Sequence, residues 1–178
     1  ASTGSTSARS SRPSSTAITA TKMRNLLNAA LDDVRAAAQP DEALLVAPTH
    51  VLAAQGAAHV VTVAGYPTGR HHSLIKASEA RLAVQSGAVE VWVAVDALLG
   101  DATSLLTDLI TVREACPQPA QLGLILPASE NALTAAQAAT QAGFDKLIYS
   151  SPAQAEQLQE KLAGQPAGLL PAEVWPAS

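Results

Sequence analysis

HVVTVAGYPTGRHHSLIKASEARLAVQSGAVEVWVAVDALLGD, running from His59 to Asp101, is the stretch that decides the architecture. His59 to Ala64 is an apolar, largely β-branched run and predicts a buried strand. Gly65, Pro67 and Gly69 punctuate a turn. Ser73 to Ser86 predicts a helix, with Gly87 just beyond it as a C-cap. Val89 to Val95 is a second apolar run, and Gly100-Asp101 closes it. Strand, loop, helix and strand make a βαβ unit, so the two strands are expected to lie parallel.

The same alternation extends in both directions. Upstream, Thr21 is placed to cap a helix over KMRNLLNAALDDVRAAA. Its Met23, Leu26, Leu27, Ala30, Leu31 and Val34 recur at helical spacing, and Pro40 lies beyond its end. Ala43 to Ala47 predicts a strand stopped by Pro48, and THVLAAQG predicts a short helix closed by Gly56. Downstream, helices are expected over Thr103 to Ala115, Glu130 to Ala142 and Pro152 to Ala163. Strands are expected over Leu122 to Leu126, Lys146 to Ser150 and Gly168 to Ala172. Strands apolar on both faces and joined by helices belong to a parallel sheet covered by helices. A (β/α) barrel and a doubly wound open sheet both satisfy this pattern.

Composition narrows the function classes. The chain has 178 residues, the size of one domain, and 48% of them are apolar, enough for a substantial core. Aromatics make up 3%, so that core is expected to be aliphatic. A net charge of −4 offers no electrostatic case for nucleic acid or an acidic membrane. The single cysteine, Cys116, rules out an internal disulfide and fits a reducing, cytoplasmic setting. No apolar run reaches the roughly 20 residues of a membrane span. Residues 1–15, ASTGSTSARSSRPSS, read as a disordered Ser/Thr-rich tail, with a transit peptide as the alternative. The expected domain is therefore residues 16–178.

Several motifs along this frame resemble the deoxyribose-phosphate aldolases. GYPTG, Gly65 to Gly69, is similar to that family's strand-end Phe-Pro-x-Gly loop. Lys76-Ala-Ser-Glu79-Ala-Arg81 resembles its following helix, and Gly87-Ala88 with Glu90-Val91 resembles its Gly-Ala-Asp-Glu-Ile/Val. Leu98 with Gly100-Asp101 matches the next turn. LLVAP ending at Pro48 resembles an upstream strand, and Gly143-Phe144-Asp145 resembles the Gly-Ala-Asp that opens the Schiff-base strand. The likeness covers roughly Ala43 to Ala172 and implies a (β/α) barrel of the TIM type, incomplete here at about six or seven βα units. It implies no cofactor.

The departures fall on the chemistry. Where the family carries a catalytic aspartate, this chain has Trp92. The family lysine of the fifth strand is matched by Gly123, and the Schiff-base lysine by Ile148. The second lysine, on the seventh strand, is matched by Leu170. The first strand's Asp-His-Thr has no counterpart. A Schiff-base aldolase needs an amine of lowered pKa and an acid/base within hydrogen-bond reach. An isoleucine cannot supply the first, nor a tryptophan the second.

Two residues are candidates for rescued catalysis. Lys146 shares strand parity with Ile148 but lies one layer deeper, about 6.6 Å back. It reads either as a shifted nucleophile or as a lysine solvated at the barrel bottom. Asp96, at the end of its strand, reads either as an acid/base or as a turn cap. For ligand binding the candidates are Ser150 and Ser151 at a helix start, which read otherwise as an ordinary N-cap, together with Arg70 and His71 in the loop at the mouth. Adjacent His71 and His72 point apart without a third ligand, so no metal site is expected. Lys76 and Glu79 read as a surface pair on one helical face, Trp92 as barrel filler, and Trp175 as an indole docked on the body or on another subunit.

The leading expectation is a catalytically silent, aldolase-like binding or regulatory protein. Its partner would be a second copy, a paralogous aldolase or a small phosphosugar or aldehyde. The alternative is an active lyase working through Lys146.

Overall fold

The computed structural model describes residues 4, 22–165 and 170–178. The expected tail therefore lies outside the described residues apart from Gly4, as do positions 168 and 169 of the expected last strand. Among the described residues there are seven strands: β1 Arg24–Leu26, β2 Ala43–Val46, β3 His59–Ala64, β4 Glu90–Ala94, β5 Gln121–Ile125, β6 Lys146–Tyr149 and β7 Ala172–Val174. They form one parallel sheet in chain order. The helices are α1 Leu31–Ala37, α2 Ser73–Gln85, α3 Ala102–Ala115, α4 Ala132–Gln141 and α5 Pro152–Ala163.

One hydrogen bond decides between barrel and open sheet. Asn25 on β1 donates from Nδ2 to the carbonyl of Pro176, just past β7, at 3.1 Å. In a flat sheet the two edge strands would stand about 29 Å apart at ~4.8 Å per strand. The sheet has therefore curled until its edges approach, as in an incomplete (β/α) barrel with seven strands among the described residues.

Alternation along each strand builds two cores. Outward-facing Leu44, Val60, Val91, Val93, Leu122, Leu124 and Leu147 are buried under the helices. The helices meet the sheet through small residues, Ala77, Ala80 and Ala83 on α2 and Ala135, Ala136 and Ala139 on α4, which let them approach closely. Inward-facing Met23, Leu45, Val61, Val63, Trp92 and Ile148 form a second, smaller core in the concavity.

The sequence reading fails first at the N-terminal end. The expected helix from Lys22 is a strand, a turn and a seven-residue helix. The side-chain oxygen of Asn25 accepts from the Leu27 amide at 3.1 Å, a local turn that competes with helix propagation. Met23 then packs inward and α1 starts only at Leu31. THVLAAQG is a pair of 3₁₀ turns, Pro48–His50 and Leu52–Ala54. The last strand sits further along than expected, so Leu170 precedes it and packs with the outer core.

The GYPTG turn is fixed by its glycines. Gly69 has φ +67°, and a Cβ there would lie 2.1 Å from the Val95 carbonyl carbon. Gly69→Ala is expected to destabilise the fold by about 2–4 kcal/mol through left-handed strain plus overpacking. Urea unfolding measures this, and a cost below 1 kcal/mol would refute it.

Candidate functional site

Barrel chemistry collects at the C-terminal ends of the strands. Here that end holds a cleft of about 300 Å³ bounded by Tyr66, Thr68, Ile125, Pro127, Ser150 and Trp175 among others. Trp175 stacks on Tyr66 with ring centroids 5.1 Å apart and planes 11° from parallel. Its other side meets Trp92, tilted by 58° at 5.6 Å. Trp175 thus docks on the body, above the inward core it packs against.

The floor beneath is apolar. Trp92 and Ile148 are fully buried. Trp92 pairs in register with Gly123, and a Cβ on Gly123 would come within 2.8 Å of the indole. The glycine at position 123 on β5 is therefore what makes room for the tryptophan on β4.

Beside and beneath these side chains lies a charged cluster. Lys146 Nζ is 2.6 Å from Glu173 Oε1 and 3.0 Å from Glu90 Oε1. Glu90 is 1% exposed. Its Oε1 also lies 3.6 Å from His59 Nε2, and its Oε2 accepts from Trp92 Nε1 at 2.5 Å. Burial pushes the Glu90 carboxyl up, but the nearby His59 imidazole, the hydrogen bond from Trp92 and the charge of Lys146 outweigh it and hold it below its ordinary value. Burial pulls the Lys146 amine down, yet the hydrogen bond to Glu173 and the charge of Glu90 leave it above its ordinary value.

Lys146 and Asp96 are not brought together. Lys146 is level with Trp92 across Gly123, while Asp96 lies four residues beyond Trp92, about 13 Å along the strand. Asp96 Oδ1 accepts from the Leu98 amide at 3.0 Å, which is the turn-cap role. Its Oδ2 is 3.4 Å from Arg70 Nε, a mostly exposed pair at the rim. His71 is exposed, and His72 caps α2 by accepting from the Leu74 amide at 3.1 Å. Ser151 caps α5 by accepting from the Gln154 amide at 3.1 Å. The Ser150 hydroxyl donates to the Leu126 carbonyl, and the Ser150 amide donates to Gln154 Oε1 at 2.7 Å. Among the described residues no group of three His, Cys, Asp or Glu is placed to hold a metal ion.

The sequence reading misplaced Lys76 and Glu79. Lys76 is 2% exposed, and its Nζ lies 2.7 Å from Asp108 Oδ2 and donates to the Ala94 carbonyl at 3.0 Å. Glu79 Oε1 accepts from the Gly65 amide at 2.9 Å. Together they clamp the GYPTG turn and the end of β4 against α2 and α3. Glu90, Glu173 and Tyr66 were also missed as parts of the site. One signal was available: Glu90 and Lys146 each open an otherwise apolar strand with inward parity, and buried charges of opposite sign seek each other.

Fold and site together define a (β/α)-barrel-type protein with its cleft at the C-terminal strand ends. The sequence comparisons narrow the class: part of the chain is similar to deoxyribose-phosphate aldolases. It is 45% identical over 113 residues to deoxyribose-phosphate aldolase of Corynebacterium jeikeium, covering 60% of this chain and 45% of that one. Against the Corynebacterium glutamicum enzyme it is 47% identical over 93 residues, covering 48% and 42%. The matched stretches thus span less than half of either relative's length. The tetrameric deoxyribose-phosphate aldolase of Aeropyrum pernix superposes with a TM-score of 0.68 at 19% identity, over 88% of this chain and 74% of that one, a likeness of fold. No family model matches the chain. Among the described residues no helix is long and apolar enough to cross a membrane.

Proposed function

We propose that this chain is an aldolase-like protein without Schiff-base chemistry, acting by binding or regulation. The observation that carries this is Lys146, which faces the interior but stands between two carboxylates, 2.6 Å from Glu173 and 3.0 Å from Glu90. A Schiff-base amine must be free of its proton to attack a carbonyl. This pairing favours the ammonium, since the Lys146 pKa is raised. The apolar floor of Trp92 and Ile148 supports the same reading. Asp96, about 13 Å away along the strand, is out of reach as its acid/base.

Borohydride trapping with small aldehydes and deoxyribose 5-phosphate, read by intact mass, tests this. The expected result is no stoichiometric adduct on folded protein. An adduct mapping to Lys146, lost in Lys146→Ala, would replace this reading with an active lyase using a relocated lysine.

Association with a second copy or a paralogous aldolase is part of the same proposal. Leu74, Ile75 and Leu82 leave an exposed apolar flank on α2, at 62%, 58% and 57% exposure. Localisation in the cytoplasm likewise belongs to this reading, supported by the enzyme relatives and the single buried cysteine.

A further inference from the structure

We propose that the cleft at the barrel mouth binds a small, uncharged, planar molecule, a phenol or aromatic alcohol in class, against the Tyr66–Trp175 stack. The proposal names the ligand class for the binding function above and rests on that reading. Size, charge and hydrogen-bond capacity each point the same way.

The cleft holds about 300 Å³, twice the ~150 Å³ that accommodates benzene in an apolar cavity. Tyr66 and Trp175 both bound it; Trp175 is covered by Tyr66 on one side and Trp92 on the other, while Tyr66 remains 37% exposed. A further ring stacked there would be in the offset or tilted geometry that aromatic groups favour.

No residue bounding the cleft is charged. Arg70 at the rim is paired with Asp96 at 3.4 Å. Two amides at the start of α5 are also committed: that of Gln154 to Ser151 and that of Ser150 to Gln154. A phosphate entering this cleft would exchange water for a lining that offers it no cation, which is costly. A phosphosugar is therefore disfavoured here, although the sequence suggested one.

Besides the Tyr66 phenol, two aliphatic hydroxyls bound the cleft and can orient a ligand. Thr68 Oγ1 accepts from the Arg70 amide at 3.2 Å, which leaves its own proton to donate. Ser150 spends its proton on the Leu126 carbonyl, which leaves a lone pair to accept. A donor and an acceptor in the lining suit a ligand that carries a hydroxyl.

The chain's two tryptophans, Trp92 and Trp175, both stand at this site, so their signals report on it alone. The experiment is fluorine NMR of the full chain labelled with fluorotryptophan, with Trp175→Phe used to assign the resonances. The probes are p-cresol, deoxyribose 5-phosphate and inorganic phosphate. A saturable shift of the Trp175 resonance with p-cresol is expected, half-complete on the order of a millimolar. Neither phosphate should shift it over the same range. Thr68→Val should weaken the p-cresol response about fivefold while both resonances stay dispersed.

The proposal falls if p-cresol gives no saturable shift in protein whose two resonances remain dispersed. It also falls if either phosphate compound shifts Trp175 as strongly as p-cresol, or if Thr68→Val leaves the response unchanged. A saturable p-cresol shift together with a borohydride adduct on Lys146 would overturn the non-lyase reading and leave the cleft assignment standing. Absence of both would overturn the cleft assignment alone.

Discussion

Asp108→Ala is expected to cost about 3–5 kcal/mol of unfolding free energy. That is a large share of the ~5–15 kcal/mol that holds a typical domain together. The substitution removes the counter-ion of Lys76, which is 2% exposed and lies 2.7 Å from the Asp108 carboxylate. The ammonium would keep the Ala94 carbonyl as an acceptor, but a carbonyl does not neutralise its charge. Ser73, whose hydroxyl donates to Asp108 Oδ1 at 2.7 Å, would lose its acceptor as well. The double variant Lys76→Met/Asp108→Ala should recover about 1–3 kcal/mol of the loss, because it removes the uncompensated charge. Urea unfolding of the wild type, both single variants and the double variant measures the coupling. A cost below 1 kcal/mol for Asp108→Ala would mean that water reaches Lys76 and that the pair is ornamental.

Lys146→Met is expected to cost a similar amount at neutral pH, about 3–5 kcal/mol, by stripping the buried Glu90 carboxylate of its cation. The pH dependence identifies the cause. In the wild type the Glu90 pKa is lowered, so its contribution to stability is present above its ordinary value of 4.5 and is lost as pH falls through the lowered folded value. The raised Lys146 pKa contributes stability below its ordinary 10.5, which is lost as pH rises through the folded value. Without Lys146, Glu90 loses a charge that lowers its pKa, which moves up from the wild-type value. The variant should therefore gain on the wild type as pH falls from about 7 toward about 4. A deficit that stays constant across that range would mean the loss comes from packing rather than charge. Adding Glu90→Gln should restore most of the stability at pH 7.

Most of the architecture was legible because β3 to β6 and their helices carry redundant local signals. His59–Ala64 is a strand by composition, by its following glycine turn and by the helix that comes next. Arg24–Leu26 carries none of these: three residues supply no periodicity, and the helical spacing of Leu27, Ala30, Leu31 and Val34 runs straight into them. What makes that segment a strand is its pairing with β2 and the Asn25 side chain, both tertiary facts. Lys76 failed for a related reason. Its spacing to Glu79 looks like an exposed helical pair, while its partner Asp108 is 32 residues away on another helix. In the site, Trp92 was read as interior filler and is fully buried. Glu173 was visible as a residue but not as a partner, since its meeting with Lys146 depends on the register of β7. The link between Trp92 and Gly123 was equally hidden, because only the register sets the two side by side.

The Asn25–Pro176 hydrogen bond bears on how the chain assembles. All six strand pairings join neighbours in sequence, so each can form as a local step with a small loop-closure penalty. The contact between Asn25 and Pro176 spans 151 residues instead. Its entropy is recovered most cheaply once the intervening units are in place, which puts ring closure late in folding. The same reasoning makes the seam the place where the folded barrel breathes first, since parting it disturbs the Asn25–Pro176 bond and the packing around Met23 and Trp175 but leaves every strand pairing intact.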